Sequence, residues 1–231
     1  MLDIRDIDSF YGGAQALRSF SLKAERGEIL CLLGRNGAGK TTALKAIMGL
    51  VKVTRGAVVL DGAELTRLPA HEVPRQGIGY VPQGRRLFSD LTVMENLKIG
   101  LMTRNSGPDV LEHVLTLFPL LRERLHQRSG TMSGGEQQML AMGRALCIKP
   151  KLLLLDEPTE GLMPAMIARI RQSVLELKAL GVTTLLVEQR VDAVLPVADR
   201  VAFVENGRVT GVVTAQELAV DRHMIDRYVG I

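Results

Sequence analysis

A glycine-rich segment at residues 34–41, GRNGAGKT, has the residue types needed to hold a chain of phosphate groups. It fits the pattern G-x-x-x-x-G-K-[ST], in which glycines let successive backbone N–H groups point at phosphate oxygens. Lys40 would reach the β- and γ-phosphates of a nucleotide, and the Thr41 hydroxyl would ligate Mg²⁺. The residues assigned to this phosphate site are Gly34, Arg35, Asn36, Gly37, Ala38, Gly39, Lys40, Thr41 and Thr42.

A pair of carboxylates, Asp156 and Glu157, follows four consecutive leucines at residues 152–155. The leucines indicate a buried strand, and ligands bind at the carboxyl edge of an open parallel sheet. The alternative is a charged pair that only ends a core strand. The phosphate loop elsewhere in the chain favours a ligand site over this alternative. We expect Asp156 on the Mg²⁺ side of the nucleotide and Glu157 to orient and polarise an attacking water.

A third candidate site is the segment SGGE at residues 133–136. A Ser followed three positions later by Glu is a capping box, which predicts that a helix begins here. A helix N-terminus with exposed glycines and a hydroxyl is also a phosphate site, so the structural and functional interpretations agree. The candidate binding residues are Ser133, Gly134, Gly135 and Glu136.

The strands and helices predicted around these motifs are those that a phosphate-binding site requires. An apolar strand at residues 28–33 precedes the glycine-rich loop, and a helix at 40–48 follows it and stops at Gly49. Strand, loop and helix in this order are the context that a phosphate loop needs. Further strands are predicted at 58–60, 78–81, 151–156 and 183–188, with a helix at about 164–180 before the last of them. The strand–helix–strand alternation implies parallel strands joined by a right-handed crossover.

The middle of the chain has a different character. Residues 86–148 show helical spacing at 92–102, 108–118 and 133–147, which predicts an inserted helical region. We therefore expect a single domain over residues 1–231, with a core at about 1–85 and 149–231 and a helical subdomain at about 86–148. Near the end, Asn206-Gly207 predicts a hairpin within residues 201–213, and a capping box at 214–217 opens a last helix.

Composition narrows the class of protein. Of 231 residues, 46% are hydrophobic and 23% are charged, which is ordinary for a globular protein. No apolar run approaches the about 20 residues that span a bilayer, and the N-terminus lacks a secretory pattern. We expect a cytoplasmic chain that serves a membrane, if it does so at all, as a peripheral subunit.

The cysteines and the charged residues argue against a disulfide or cysteine metal site and against a nucleic-acid site. Cys31 and Cys147 lie in apolar surroundings, which favours buried side chains over a disulfide or a metal site. A net charge of +4 permits a nucleic-acid partner, but the basic residues are spread out and the chain has no Trp, 3 Tyr and 5 Phe. We expect no nucleic-acid partner.

The motifs, in this order, resemble the ATP-binding-cassette (ABC) family of transport ATPases over nearly the whole chain. Residues 34–41 are similar to Walker A, 152–157 to Walker B with the catalytic glutamate, and 133–137 to the family signature. The resemblance implies an α/β fold. It consists of a P-loop NTPase (RecA-like) core with a parallel sheet, an N-terminal antiparallel β region and an inserted α-helical subdomain.

Two more positions carry the resemblance. Gln83, in YVPQG, resembles the Q-loop glutamine that links the nucleotide site to a transmembrane partner, and the resemblance places it at the metal site with Thr41 and Asp156. Tyr11, in FYGG ahead of the strand at 28–33, resembles the aromatic residue that stacks on adenine. ATP and Mg²⁺ are the implied cofactors.

Within the family, residues 77–88, 117–119, 132–145 and 186–189 resemble ATPase subunits of importers for branched-chain and other hydrophobic amino acids. Residues 158–161, PTEG, resemble the urea and short-amide branch slightly more, so that branch stays an alternative.

Two positions depart from the general family pattern. Gln189 stands where most members carry the switch histidine, and Met163 where many have the D-loop aspartate. A Gln amide can hydrogen-bond to a γ-phosphate but cannot take a proton. Both departures look usual for the hydrophobic amino-acid branch. The candidate catalytic residues are therefore Glu157, Gln189 and Lys40.

The resemblance also implies partners. Two cassettes, identical or related, close over ATP, so that Ser133 and Gly135 of one face the phosphate loop of the other. Further partners are transmembrane permease subunits and, indirectly, a periplasmic or lipid-anchored solute-binding protein, with the chain at the cytoplasmic face of the inner membrane. Alternatives of other classes are a non-transport cassette in DNA repair or translation and a P-loop kinase for a small molecule. The kinase leaves the residue 133–135 motif unexplained.

Overall fold

The computed structural model describes residues 1–220 of the chain. The strands in this range are β1 (Leu2–Tyr11), β2 (Ala14–Ala24), β3 (Ile29–Leu33), β4 (Val53–Leu60), β5 (Ala63–Glu64), β6 (Ile78–Val81), β7 (Leu152–Asp156), β8 (Thr183–Glu188), β9 (Arg200–Glu205) and β10 (Arg208–Thr214). The helices are α1 (Lys40–Ile47), α2 (Val93–Arg104), α3 (Pro108–Leu117), α4 (Pro119–Glu123), α5 (Gly134–Leu146), α6 (Pro164–Ala179), α7 (Val191–Val194) and α8 (Ala215–Val220). Short 3₁₀ turns occupy Pro74–Gln76 and Ser129–Thr131.

The larger sheet has the strand order β10-β9-β3-β8-β7-β6. All neighbours from β9 to β6 are parallel, and β10 is antiparallel to β9. The predicted parallel pairing of the strands around α6 is confirmed, because β7 and β8 are direct neighbours. The carboxyl ends of β3, β7 and β8 therefore meet at one edge, where the phosphate loop, the carboxylate pair and Gln189 follow them.

The hydrophobic core lies on both faces of this sheet. Successive side chains of β3 point to opposite faces, so Leu30 and Leu32 pack with the N-terminal strands and α1. Cys31 and Leu33 pack on the other side with α5 and α6. Every residue of β3 is fully buried, which explains why the strand is a continuous apolar run rather than an alternating one. Both cysteines are free and buried, as expected.

The second sheet is antiparallel, with the order β2-β1-β4-β5. This confirms an N-terminal antiparallel region, although the sequence did not locate β1 and β2, and β4 is longer than the predicted strand at 58–60. The sequence did not locate β1 and β2 because the two strands pair irregularly. Asp6 and Ser19 both have a φ of 45°, and the β1–β2 register shifts near them, which disrupts the simple alternation of buried and exposed residues.

The inserted helical region is confirmed as helices α2, α3 and α5, with the short α4 in addition. Helix α2 begins at a capping box between Thr92 and Glu95. It crosses α5 closely at Gly100, where a Cβ would lie 2.3 Å from the carbonyl oxygen of Arg144. These helices share a continuous apolar cluster with β3 and β7. The proposed division into a core and a separate helical subdomain stays a prediction.

The predicted hairpin and last capping box are confirmed. Asn206 and Gly207 have φ values of 48° and 77°, the positive pair that a tight two-residue hairpin turn requires. Thr214 and Glu217 exchange capping hydrogen bonds at the start of α8. Within residues 1–220, no helix has both the length and the apolar character needed to cross a bilayer.

Candidate nucleotide site

The phosphate loop connects β3 to α1 and wraps around a cleft of about 360 Å³. Gly34 packs so tightly that a Cβ would lie 2.2 Å from the carbonyl oxygen of Val204, so only glycine fits there. Gly39 has a φ of 110° and immediately precedes Lys40, the first residue of α1. The cleft is lined by Asn36, Gly37, Ala38, Gly39, Lys40, Thr41, Thr42, Gln83, Glu157, Glu160 and Gln189. The structure thus brings together most of the predicted phosphate-site residues.

Lys40 is the cation at the centre of this loop. Its Nζ donates to the carbonyl oxygens of Gly34 at 2.7 Å and Arg35 at 3.0 Å, and the side chain is only 4% exposed. Burial lowers the pKa of Lys40, and the carboxylates of Glu157 and Asp156 oppose that change. A bound phosphate would also favour the charged ammonium, because it places negative charge beside it.

Thr41 and Asp156 form the predicted metal pair: Thr41 lines the cleft, and Asp156 lines the neighbouring depression together with Thr41 and Gln83. Thr41 Oγ1 donates to Asp156 Oδ1 at 2.8 Å. Asp156 is 1% exposed, and its second oxygen, Oδ2, is buried without a close hydrogen bond among the described residues. Burial raises the pKa of Asp156, while the hydrogen bond from Thr41 lowers it. The Tyr80 hydroxyl and the Gln83 N–H also lie near this carboxylate. A carboxylate beside a hydroxyl suits Mg²⁺, which takes few protein ligands and otherwise binds water and phosphate oxygens.

Glu157 leaves β7 in an unusual conformation, with a φ of 50°. Its N–H donates to the carbonyl oxygen of Val187 on β8 at 3.0 Å. Two amide groups hold its carboxylate: Gln189 Nε2 donates to Oε1 at 2.7 Å, and Gln83 Nε2 donates to Oε2 at 3.3 Å. The predicted Q-loop glutamine and the glutamine at the switch position therefore both donate to the carboxylate of the candidate base, Glu157.

Sequence reasoning missed Glu160, which also lines the cleft. Its Oε2 accepts from Gln83 Nε2 at 2.9 Å, a shorter contact than the one between Gln83 and Glu157. Glu160 therefore competes with Glu157 for the Gln83 amide. A signal was present in the sequence, since Glu160 is a carboxylate three residues after Glu157 in the turn that follows a ligand-binding strand.

The SGGE segment behaves as its capping box predicts. Ser133 is the N-cap of α5, and its backbone N–H donates to Glu136 Oε2 at 2.8 Å. Arg124 Nη2 lies 3.0 Å from the second oxygen of Glu136. Gly135 touches α6, because a Cβ there would lie 2.7 Å from the Met166 side chain. Residues 133–136 do not line the cleft of their own phosphate loop, so within one chain the structure does not bring the two motifs together.

Tyr11 is the last residue of β1, a strand that the sequence did not locate, and it lies ahead of β3. It is 49% exposed and lies outside the residues that line the phosphate cleft. Its ring is accessible to a planar ligand, but its adenine-stacking role stays a prediction.

A second depression, of about 570 Å³, lies between the sheet edge and the inserted helices. Gln83 and Asp156 line it on the nucleotide side, and Phe88 and Arg144 line it further out. Phe88 is 51% exposed, and the Arg144 guanidinium carbon lies 5.4 Å from the centre of its ring, a cation–π contact. Gln83 therefore faces both the nucleotide cleft and this outer groove.

Comparison with known proteins shows the family of the chain. Residues 17–160 match the ABC transporter family. The chain is 46% identical to the high-affinity branched-chain amino acid transport ATP-binding protein BraG of Pseudomonas aeruginosa, over 100% of both chains. It is 40% identical to the probable branched-chain amino acid transport ATP-binding protein LivF of Archaeoglobus fulgidus, over 94% of both chains. The protein therefore belongs to the ABC transporter family.

The fold is that of solved cassettes. A dimeric ATP-binding cassette in a post-hydrolysis state, bound to ADP and Pi, superposes with a TM-score of 0.85 and 26% identity, covering 93% of this chain and 99% of that chain. Together with the Walker-type loop and carboxylates, family membership identifies the chain as an ATP-binding ATPase subunit. The cleft around Lys40 is its candidate ATP site.

Proposed function

We propose that the chain is the ATP-hydrolysing subunit of an importer for branched-chain or other hydrophobic amino acids. The observation that carries the proposed hydrolysis is the position of Glu157, beside Lys40 and the Thr41–Asp156 pair and held by two amides. The substrate class is supported by the likeness to BraG and LivF. That likeness favours amino acids over the urea and short-amide alternative.

In the proposed site, the backbone N–H groups of residues 34–41 and Lys40 hold the phosphates of ATP. Thr41, Asp156 and Gln83 would hold Mg²⁺, which neutralises charge on the transferred phosphoryl group when it is bound. Lys40 would exchange its two carbonyl contacts within the loop for phosphate oxygens. Its ammonium is therefore already in place and needs only to change acceptor.

Glu157 would orient and polarise the attacking water. The amides of Gln83 and Gln189 donate to its two oxygens, which fixes the orientation of the carboxylate plane. Gln189 itself cannot accept a proton, so it serves as a hydrogen-bond donor that orients Glu157 or the γ-phosphate. This arrangement assigns the base role to Glu157 alone and gives Gln189 an auxiliary role.

We further infer that the site is completed by a second cassette. Ser133 is exposed, and the N-terminus of α5 does not line the chain's own phosphate cleft. A helix N-terminus attracts phosphate, so this one fits the γ-phosphate of ATP on a facing subunit. The dimeric assembly of the cassette bound to ADP and Pi supports such a pair. The second cassette is an identical copy or a related one.

The outer groove around Phe88 and Arg144 is the proposed contact for the permease subunits. It reaches the nucleotide site through Gln83, so movement of this residue would report nucleotide state to the groove. The chain would thereby work at the cytoplasmic face of the inner membrane. A periplasmic or lipid-anchored protein would deliver the solute from the other side.

The proposed function is tested by reconstituting the chain with its permease subunits and solute-binding protein in vesicles. ATP should drive uptake of labelled leucine, and a complex carrying Glu157→Gln should take up none. Competition with isoleucine and valine should reduce leucine uptake, whereas urea should not. Uptake of urea in place of leucine would favour the alternative branch, and ATP hydrolysis without any uptake would contradict the importer role.

A further inference from the structure

Glu188 is a buried carboxylate next to the candidate site that has no assigned role. It is the last residue of β8 and is 4% exposed. Its Oε1 accepts a hydrogen bond from Thr159 Oγ1 at 2.7 Å. Burial raises the pKa of Glu188, and the hydrogen bonds from Thr159 lower it. A carboxylate is costly to bury without such a partner, so the contact with Thr159 matters to both residues.

Thr159 belongs to the loop of residues 157–163, which connects β7 to α6 and begins with Glu157. The loop is a compact turn, because the N–H of Glu160 donates to the carbonyl oxygen of Glu157 at 3.2 Å. The N–H of Leu162 likewise donates to the carbonyl oxygen of Thr159 at 3.3 Å. A displacement of Thr159 would therefore be passed to Glu157 two residues away.

Three successive positions at the end of β8 hold this loop. The carbonyl oxygen of Val187 accepts from the N–H of Glu157, and the carboxylate of Glu188 accepts from Thr159. Gln189 then donates to the Glu157 carboxylate. The bond between Glu188 and Thr159 is the only one of the three that fixes the loop beyond its first residue.

Among residues 1–220, side-chain packing leaves a space open beside the loop. A cavity of about 390 Å³ opens there, with Glu157, Thr159, Leu162, Glu188 and Gln189 among its walls. A loop that borders a cavity can shift at little packing cost, unlike one that is pressed against a close-packed core. Its position therefore depends on specific hydrogen bonds.

We propose that Glu188 is a positioning residue for ATP hydrolysis, which acts through Thr159 to hold the 157–163 loop and thus the carboxylate of Glu157. This inference rests on the proposed role of Glu157. Glu188 itself does not touch the reacting atoms. Glu188 instead holds Glu157 in place through Thr159 and the loop.

The test compares Thr159→Val, Glu188→Leu and Glu188→Gln in the purified chain, by steady-state hydrolysis and by hydrogen exchange of the residue 157–163 amides. Thr159→Val and Glu188→Leu should each lower kcat about tenfold, since each removes one side of a hydrogen bond to a buried charged group. KM for ATP should change less than about twofold, because the phosphate loop is untouched. Exchange in residues 157–163 should become faster.

Three variants separate a positioning role from an effect on general stability. Glu188→Gln keeps an acceptor for the Thr159 hydroxyl and should retain most of kcat. Thr184→Val is the matched control, because the Thr184 hydroxyl on the same strand is buried without a hydrogen-bond partner. It should leave kcat and loop exchange unchanged. The double variant Thr159→Val/Glu188→Leu should lose no more activity than Glu188→Leu alone, because that single variant already removes both the side-chain and the backbone hydrogen bond from Thr159.

Several results would overturn the proposal. Unchanged kcat in Thr159→Val, equal losses in Thr159→Val and Thr184→Val, or fully additive losses in the double variant would each contradict it. Unchanged exchange in residues 157–163 would do the same. Failure of the proposed function gives a different pattern: Glu157→Gln would then keep its turnover, or the unaltered chain would hydrolyse ATP without driving any uptake.

Discussion

At the scale of single residues, the candidate site is organised by hydrogen bonds to particular carbonyl and carboxylate oxygens. Lys40 donates to carbonyl oxygens of its own loop, and Thr41 donates to Asp156. Glu157 receives one amide on each carboxylate oxygen. These contacts place a cation and a candidate base around one cleft, and Thr41 joins that cleft to Asp156 in the neighbouring depression. Each role can be tested by a substitution that changes charge or hydrogen bonding but little volume.

Replacing Glu157 with Gln removes the negative charge and keeps the side-chain shape. We expect kcat for ATP hydrolysis to fall at least about 100-fold, the lower range for loss of a general base. ATP binding, measured by equilibrium titration with a fluorescent analogue, should remain within about threefold, because Lys40 and the loop are intact. Normal turnover in this variant would refute the assigned role of Glu157.

Replacing Gln189 with Ala removes one amide from the Glu157 carboxylate but leaves Gln83 in place. We expect a loss of kcat of about tenfold, milder than that of Glu157→Gln, because a hydrogen-bond donor rather than the base is lost. Gln172→Ala on the exposed face of α6 is the matched control and should hydrolyse ATP normally. If Gln189→Ala were as inactive as Glu157→Gln, Gln189 would be essential rather than auxiliary.

At the scale of elements, the β9–β10 hairpin supports the phosphate loop. The N–H of Gly207 donates to the carbonyl oxygen of Ala38 at 2.8 Å, and its carbonyl oxygen accepts from Arg18 at 2.9 Å. The backbone of β9 also packs against Gly34. The turn of the hairpin is therefore a structural part of the nucleotide site, although it is far away in sequence.

Replacing Gly207 with Ala should both destabilise the protein and weaken ATP binding. A Cβ there would lie 2.4 Å from the carbonyl oxygen of Ala16, and φ is 77°. We expect a loss of about 2–4 kcal/mol in the free energy of unfolding, measured in urea. Gly62→Ala, with a φ of 85° and open space around it, should lose only about 1–2 kcal/mol. Equal losses in the two variants would show that the close contact with Ala16 is unimportant.

Local patterns were sufficient to predict the parallel strands and the sites on them. The leucine run before Asp156, the strand–loop–helix around Lys40 and the Ser133 capping box each lie within a few consecutive residues. The bulged strand β1 was not located, because positive φ at Asp6 breaks the period-two alternation. The Thr159–Glu188 bond and the Gln83–Glu160 contact join side chains 29 and 77 residues apart. Such pairings appear only when the fold is known.

At the scale of the whole molecule, the two halves of the proposed composite site lie apart in one chain. The phosphate loop faces one cleft, while Ser133 at the start of α5 does not line that cleft. In a symmetric pair each surface would meet its complement twice, which gives two composite sites per dimer. ATP would then hold the pair together, and hydrolysis would release it.

This shared site can be tested by mixing two inactive variants of the chain. Lys40→Ala disables the phosphate loop, and Ser133→Arg blocks the start of α5. Each variant alone should hydrolyse almost no ATP. A mixed dimer, however, contains one site in which both halves are intact, so an equal mixture should recover roughly a quarter of normal activity under random pairing. Activity no greater than the sum of the separate variants would contradict a site shared between two copies.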